Sequence, residues 1–175
     1  MPQNYTLRPS PAEHGSYFGR YIRLVPEGDI IRLIETQAED TLALFDEISE
    51  EQACYRYALE KWSIKEIVGH LVESEQIFVC RALRFSRNEQ VPLPGFDQDA
   101  YVEAARFDRQ PFRALVDEFR AVRKATVLFF QGVSDEMMER TGIASDTTLS
   151  VRAVAYILAG HERHHVAILR ERYLS

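Results

Sequence analysis

Apolar residues recur at helical spacing in four long segments of this chain. Asp29, Ser63 and Ser150 each precede one segment as an expected N-cap, and Pro111 lies near the start of the remaining one. The segment after Ser63 has the clearest start, because Ser-Ile-Lys-Glu is a capping box ahead of an apolar stripe. No alternation of strands and helices is seen. The pattern predicts an all-α four-helix bundle over residues 29–175.

Two less regular regions complete the expected architecture. Residues 1–28 contain four prolines and three glycines, which predicts an extended N-terminal arm packed on the domain. Residues 88–108 form a long crossover between helices two and three, with a short helix expected over residues 97–105. At up to about 3.3 Å per residue this crossover spans the bundle, so helices two and three can run parallel. The predicted order is up-down-down-up.

The composition argues against several classes of protein. Asp and Glu total 27 against 21 Lys and Arg, a net charge of -6, which disfavours a nucleic-acid partner. The two cysteines, Cys54 and Cys80, form neither a disulfide framework nor a thiolate metal motif. Neither a secretory pattern nor an apolar stretch long enough for a membrane is recognised. We therefore expect a cytoplasmic protein with no membrane and no nucleic acid as partner.

Three histidines are predicted to point into the core. Helical residues step by about 100 degrees, which places His161 and His165 within the apolar stripe of the last helix and His70 on the inward face of the second. One inward histidine is more often a hydrogen-bonded core residue than a ligand. Three of them, two being one turn apart, favour a shared divalent metal, with separate core histidines as the alternative. Antiparallel packing of the two helices makes the three histidines level at about 1.5 Å of rise per residue.

The sequence HERHH at 161–165 matches H-E-x-x-H, the signature of zincin metalloproteases. A zincin usually takes its third ligand from beyond the helix, where Glu171 is the only acidic residue in this chain. We therefore interpret the motif as two ligands of a bundle site. Glu162, at the flank of the stripe, and His164, at its border, are expected to neighbour the ligands or contact substrate. A solvated or ion-paired Glu162 is the alternative.

Three further residues on the second helix are candidates for the site. Glu73 and Ser74 lie one turn beyond His70, where they can orient ligands or relay protons, and a solvated Glu73 and a packed Ser74 are the alternatives. Arg81 lies near the same face and can meet an anionic substrate, unless it pairs with a neighbouring helix. Cys80 points away from His70. No residue is assigned as a catalytic base.

Three stretches of the chain resemble the DinB/YfiT-like superfamily. They are KWSIKEIVGH at 61–70, GHERHH at 160–165 and PGFDQD at 94–99. The resemblance extends over residues 21–173 and centres on the two histidine sites. It implies the same four-helix bundle.

The resemblance also implies a metal site and a range of activities. In that superfamily a divalent metal, commonly nickel or zinc, is held by histidines that correspond to His70, His161 and His165. Homodimers are frequent among its members. Some are metal-dependent transferases that act on low-molecular-weight thiols, and many have no known reaction.

The function predicted from these observations is that of a metal-dependent enzyme acting on a small molecule. Three imidazole ligands leave coordination positions open, as in catalytic zinc sites. An activated water would give a hydrolase, and a deprotonated thiol would give a thiol S-transferase. The alternative is a noncatalytic, metal-stabilised binding or stress-response module, because no general base is evident. The ligands do not identify the metal, since imidazole suits zinc, nickel, copper and iron.

Overall fold

The structure is a computed structural model that describes residues 5–174. Its helices are α1 (Gly15–Ile22), α2 (Ile30–Asp46), α3 (Glu50–Ala53), α4 (Ile64–Ser86), α5 (Gln98–Ala105), α6 (Phe112–Gln131), α7 (Asp135–Glu139) and α8 (Val151–Ile168). Two strands, β1 (Thr141–Ala144) and β2 (Thr147–Ser150), pair as an antiparallel hairpin. Short 3-10 helices occupy Pro11–Glu13 and Phe107–Arg109, and a π-helical segment, Leu169–Tyr173, follows α8.

The four long helices α2, α4, α6 and α8 form the predicted bundle. Helix α4 packs against α6 and α8, and α2 packs against the same two helices. The predicted all-α fold class is therefore confirmed. No helix in the described part of the chain combines the length and apolar character needed to cross a membrane.

The predicted N-caps are present at three of these helices. The carboxylate of Asp29 accepts hydrogen bonds from two backbone N–H groups at the start of α2. Ser63 and Glu66 form the reciprocal capping box at the start of α4. Ser150 caps α8 by accepting from the N–H of Ala153 at 3.0 Å. Each cap satisfies backbone donors that have no partner within the helix, so these starts are determined locally.

Contacts at the helix ends show which ends lie together. Lys65, at the start of α4, donates to the carbonyl of Gln110, just before α6, at 2.8 Å. The hydroxyl of Tyr173, beyond α8, donates to the carbonyl of Trp62, just before α4, at 2.7 Å. Helices α4 and α6 thus begin at the same end of the bundle, where α8 finishes. The full order up-down-down-up stays a prediction.

A buried polar layer divides the bundle core. The guanidinium of Arg123 on α6 pairs with Glu75 on α4 and Glu162 on α8, each at 2.7 Å. Gln37 and Thr41 on α2 also donate to Glu162, so all four long helices meet here. Aromatic side chains fill both sides of the layer, and burial of each contributes roughly 2 kcal/mol. The largest are Phe85, Phe130 and Tyr156 on one side and Phe45, Phe112 and Phe119 on the other.

The extended arm expected for residues 1–28 is wrong over residues 15–22, which form α1. The prolines of the arm flank this stretch and do not interrupt it, and α1 packs on α8. Within this region Tyr17 and Leu24 are exposed, whereas three side chains are buried against the bundle: Phe18, Tyr21 and Ile22. The domain boundary after residue 28 stays a prediction. Residues 1–4 of the arm lie outside the described residues.

The sequence analysis did not predict the β-hairpin before α8. Its two-residue turn consists of Ser145 and Asp146, which both have positive φ, as type I′ hairpin turns require. The crossover contacts the hairpin, because the N–H of Leu93 donates to the carbonyl of Ile143 at 2.9 Å. The hairpin lies at the C-terminal end of α4, where Phe85 closely approaches Gly142. The predicted short helix of the crossover is present as α5.

Candidate metal centre

The structure brings His70, His161 and His165 together. His70 lies on α4, and the other two lie one turn apart on α8. The Nε2 atom of His161 is 3.1 Å from that of His70 and 3.2 Å from that of His165. One nitrogen atom from each side chain lies within 4.8 Å of the others. Three donor atoms thus converge on one point between the two helices.

Burial keeps these imidazoles neutral. His70 is 3% exposed and His161 is 6% exposed. Desolvation lowers the pKa of His70 from 6.5 to about 4. The pKa of His161 and that of His165 lie well below the usual value, first because of desolvation and then because the neighbouring histidines repel added positive charge. Neutral nitrogen lone pairs are the form that a metal ion binds.

The donor set fits a divalent cation. The three converging Nε2 atoms have one another as their nearest polar partners. Each hydrogen bond between them needs one N–H donor, and neutral imidazoles carry too few protons on these atoms to satisfy all three. The other ring nitrogen of His70, Nδ1, lies 3.3 Å from the hydroxyl oxygen of Ser74. A hydrogen bond to the far nitrogen is the usual means of orienting a histidine ligand. The hydroxyl of Ser74 lies at the ring nitrogen of His70 that faces away from the cluster.

Aromatic rings surround the three histidines. The ring centre of Trp62 lies 4.7 Å from that of His70, and its plane stacks at 16° on His165 at 6.4 Å. Tyr21 of α1 lies edge-on to His161 at 5.3 Å. These contacts restrict the ring orientations and exclude water from part of the site. Sequence analysis missed Tyr21, because its helix lies outside the four recognised segments.

The histidine cluster borders a cavity of about 460 Å³. His70 and His161 line it together with Ser74, Phe78 and Arg81. His165 faces a second cavity of about 300 Å³ beside Trp62. The three histidines are thus accessible to a small molecule, as in catalytic sites and in contrast to closed structural ones.

Two acidic residues expected near the site, Glu162 and Glu73, do not line the main cavity. Glu162 is 1% exposed and belongs to the polar layer, where it pairs with Arg123. Of its two predicted roles, the ion-paired one is found. Glu73 does not line the main cavity, and its pKa is raised by partial burial and then by the nearby carboxylate of Glu118 on α6. The carboxylate of Glu162 is held in this ion pair and is not free to act as a general base.

His164 and the cysteines lie outside the cluster. His164 is half-buried, with its ring centre 5.6 Å from that of Tyr21 and 5.2 Å from that of His165. Its position at the border of the stripe agrees with the helical count. Cys54 and Cys80 are both exposed. They take no part in the site.

Fold and site together define a helical-bundle protein whose three histidines can hold a divalent metal beside a small-molecule cavity. A family model described as the DinB superfamily matches residues 33–169. The chain belongs to this superfamily. The resemblance found in the sequence is thereby confirmed.

Two similar proteins have names that refer to metal-dependent hydrolases. A protein of Oceanobacillus iheyensis, provisionally named a metal-dependent hydrolase, is 22% identical over 143 residues, covering 80% of this chain and 81% of that protein. YfiT from Bacillus subtilis, described as a probable metal-dependent hydrolase with an unusual four-helix bundle topology, superposes with a TM-score of 0.68 at 13% identity over 94% of this chain and 90% of YfiT.

A second similar structure is a mycothiol-dependent maleylpyruvate isomerase. It superposes with a TM-score of 0.66 at 12% identity over 83% of this chain. The chain spans 61% of that protein's length. At this level of identity the likeness shows the bundle fold.

Proposed function

We propose that this protein is a divalent-metal-dependent enzyme that acts on a small molecule, with His70, His161 and His165 as the metal ligands. One observation carries the proposal. Three neutral imidazoles, of which those of His70 and His161 are buried, direct nitrogen atoms at one point, and these two form part of the wall of a cavity. Nickel and zinc are the proposed metals by analogy with the superfamily, and both accept imidazole ligands.

A bound divalent ion supplies Lewis acidity that lowers the pKa of a water or thiol joining it. The residues of the chain would hold the ion and orient its histidine ligands. Ser74 positions the ring of His70, and Trp62 and Tyr21 restrict the rings around it. The reaction is hydrolysis or transfer of a low-molecular-weight thiol. The names of the metal-dependent hydrolases and of the mycothiol-dependent isomerase support these two classes.

The size of the cavity supports a small molecule as substrate. Its volume of about 460 Å³ lies within the range of about 300 to 1,000 Å³ that is typical of small-molecule pockets. Aromatic and polar side chains both line it. By analogy with the superfamily we further propose a cytoplasmic homodimer, in which residues 1–28 are an arm added to the bundle.

A noncatalytic metal-stabilised binding module is the second proposed function. It is favoured because two carboxylates near the site already have hydrogen-bond or ion-pair partners and are not free to act as a general base. Asp97, which lines the cavity, caps α5 by accepting from the N–H groups of Asp99 and Ala100. Glu162 is paired with Arg123. The open cavity weighs against this module, because a purely structural metal is normally closed off by its ligands.

The test combines metal analysis with a substrate panel. Protein purified without chelator is analysed for metal and then assayed with cellular thiols plus an electrophile, and with ester and amide substrates. We expect about one divalent ion per chain and turnover in one of the two classes, lost on chelation and in His165→Ala. His14→Gln, a buried histidine outside the cluster, is the matched control. Metal without turnover in either class would favour the binding module.

A further inference from the structure

Arg81 is a buried cation without an acidic partner. Three Lys or Arg residues are buried in the described part of the chain. Lys65 pairs with Glu50, and Arg123 pairs with two glutamates. Arg81 is 3% exposed and donates from Nη2 only to neutral oxygens, at 3.0 and 3.1 Å. A buried charge without a counter-ion is costly, so its presence calls for a ligand.

The guanidinium of Arg81 faces the same cavity as the histidines. Arg81, His70 and His161 all line that cavity. The guanidinium carbon lies 5.5 Å from the ring centre of Phe78, which is itself 6.1 Å from the ring centre of His161. The distance from the guanidinium carbon to the ring centre of His161 therefore cannot exceed the sum of these two distances. One small molecule can reach both.

The surrounding loops hold the guanidinium in place. Its Nη2 donates to the carbonyl of Pro94 in the crossover and to the hydroxyl of Ser145 in the hairpin turn. The rings of Phe78 and Phe96 lie 5.5 and 6.0 Å from the guanidinium carbon. Its remaining donors, Nε and Nη1, have no hydrogen-bond partner among the described residues and are not fully buried. A carboxylate oxygen of a ligand can accept a charge-assisted hydrogen bond from either of these two donors and supply the counter-charge that the guanidinium lacks.

We propose that Arg81 binds a carboxylate of the substrate whose reacting end lies at the three histidines. The substrate class is then a short molecule with a carboxylate at one end and a thiol or a hydrolysable carbonyl group at the other. A single negative charge is preferred, because one guanidinium faces the cavity and Asp97 also lines it. This inference rests on the proposed function for the reacting end. The carboxylate contact is separate from it.

Binding of matched thiols tests the two ends independently. Nickel-loaded protein is titrated with 6-mercaptohexanoate, its neutral analogue 6-mercapto-1-hexanol, and 6-mercaptohexylphosphonate. Visible absorption reports a thiol at the metal, and fluorescence of Trp62, the single tryptophan, reports occupancy. We expect the carboxylate to bind about tenfold or more tightly than the alcohol, as charge-assisted hydrogen bonds predict. Arg81→Gln should abolish this preference while the alcohol binds as before.

Two variants keep the outcome interpretable. Arg81→Lys retains the charge but not the planar guanidinium that Pro94 and Ser145 hold in place, and should keep only part of the preference. Arg84→Gln, one turn along α4 and outside the cavity, should keep all of it. Equal affinity for carboxylate and alcohol in the parent, or a preference unchanged in Arg81→Gln, overturns the inference. Tighter binding of the phosphonate overturns the carboxylate assignment.

Failure of the proposed function gives a different result. If no thiol alters the absorption of the nickel-loaded protein, the reacting end does not lie at the metal. A carboxylate preference that persists in the fluorescence titration still supports the Arg81 contact. The two hypotheses therefore fail separately.

Discussion

The Nε2 atoms of His70 and His161 lie 3.1 Å apart, although 91 positions separate the two residues in the chain. They belong to α4 and α8, whose packing brings both rings to the same level of the bundle. Burial holds both rings in the neutral form, so electrostatic repulsion does not separate them. Together with His165, the two rings direct three nitrogen lone pairs at one point, where we expect one divalent ion to bind.

Removing one ligand should remove the metal. His161→Ala leaves two imidazoles, and we expect its metal content to fall from about one ion per chain to a small fraction, since a two-ligand site binds weakly. Elemental analysis after gel filtration measures this. His14→Gln should retain the metal of the parent. Equal metal content in parent and His161→Ala would show that the three histidines are core residues without a shared ion.

Loss of the hydroxyl that positions His70 should weaken metal binding without abolishing it. Ser74→Ala removes the oxygen 3.3 Å from Nδ1 of His70. Substitutions of such supporting groups typically cost about 10- to 100-fold in metal affinity. Competition with a chelator of known affinity measures the change. Ser86→Ala, which removes a buried hydroxyl on the same helix bonded to the Leu83 carbonyl, should leave the affinity unchanged.

The metal-free protein should lose stability as the pH falls from 6.5 to about 4. Burial lowers the pKa of His70 to about 4 from the value of 6.5 that the unfolded chain regains. Between these values the unfolded state binds a proton that the folded state does not, so acid favours unfolding. The part of the free energy of unfolding that depends on His70 is about 3 kcal/mol. It is present in full above pH 6.5 and is lost as the pH falls to about 4.

Urea unfolding of chelated protein at several pH values measures this dependence. His70→Gln should show a shallower dependence, because it lacks one of the groups responsible. A free energy of unfolding that stays constant across this range would contradict the expected depression of the pKa.

Arg123 should be essential to stability. Arg123→Ala leaves the carboxylates of Glu75 and Glu162 buried without their cation, which typically costs about 3 to 5 kcal/mol. Arg120→Ala, on the same helix, removes only an exposed pair with Asp117 and should cost less than about 1 kcal/mol. Urea unfolding at neutral pH compares the two. Similar losses in both variants would refute a special role for the polar layer.

Gly160 should tolerate no side chain. A Cβ at this position would lie 2.0 Å from the carbonyl oxygen of Tyr21, so Gly160→Ala must displace α1 from α8. We expect a loss of about 1 to 3 kcal/mol, as for overpacked cores. Gly132→Ala, whose Cβ would meet its nearest atom at 3.5 Å, is the control and should be nearly neutral. Thermal unfolding of both variants measures the difference.

Local physics made much of this protein predictable. The caps at Asp29, Ser63 and Ser150 satisfy backbone groups within one turn, and the apolar period of each helix follows from 3.6 residues per turn. The same period indicated that His70 and His161 point inward. These features depend on residues a few positions apart, so the sequence by itself determined the four long helices, their inward faces and the three histidines.

Packing between distant segments decided the rest. The sequence indicated neither that α1 lies on Gly160 nor that Glu162 belongs to a polar layer with Arg123, because these contacts join separate helices. Because its carboxylate pairs with Arg123, Glu162 is not available as the general base that the apparent protease motif would require. Arg81 likewise becomes a buried cation that lines the cavity only because the crossover and the hairpin pack over it. Period and capping specify which side of a helix is buried, whereas the partner it meets there depends on how the whole chain packs.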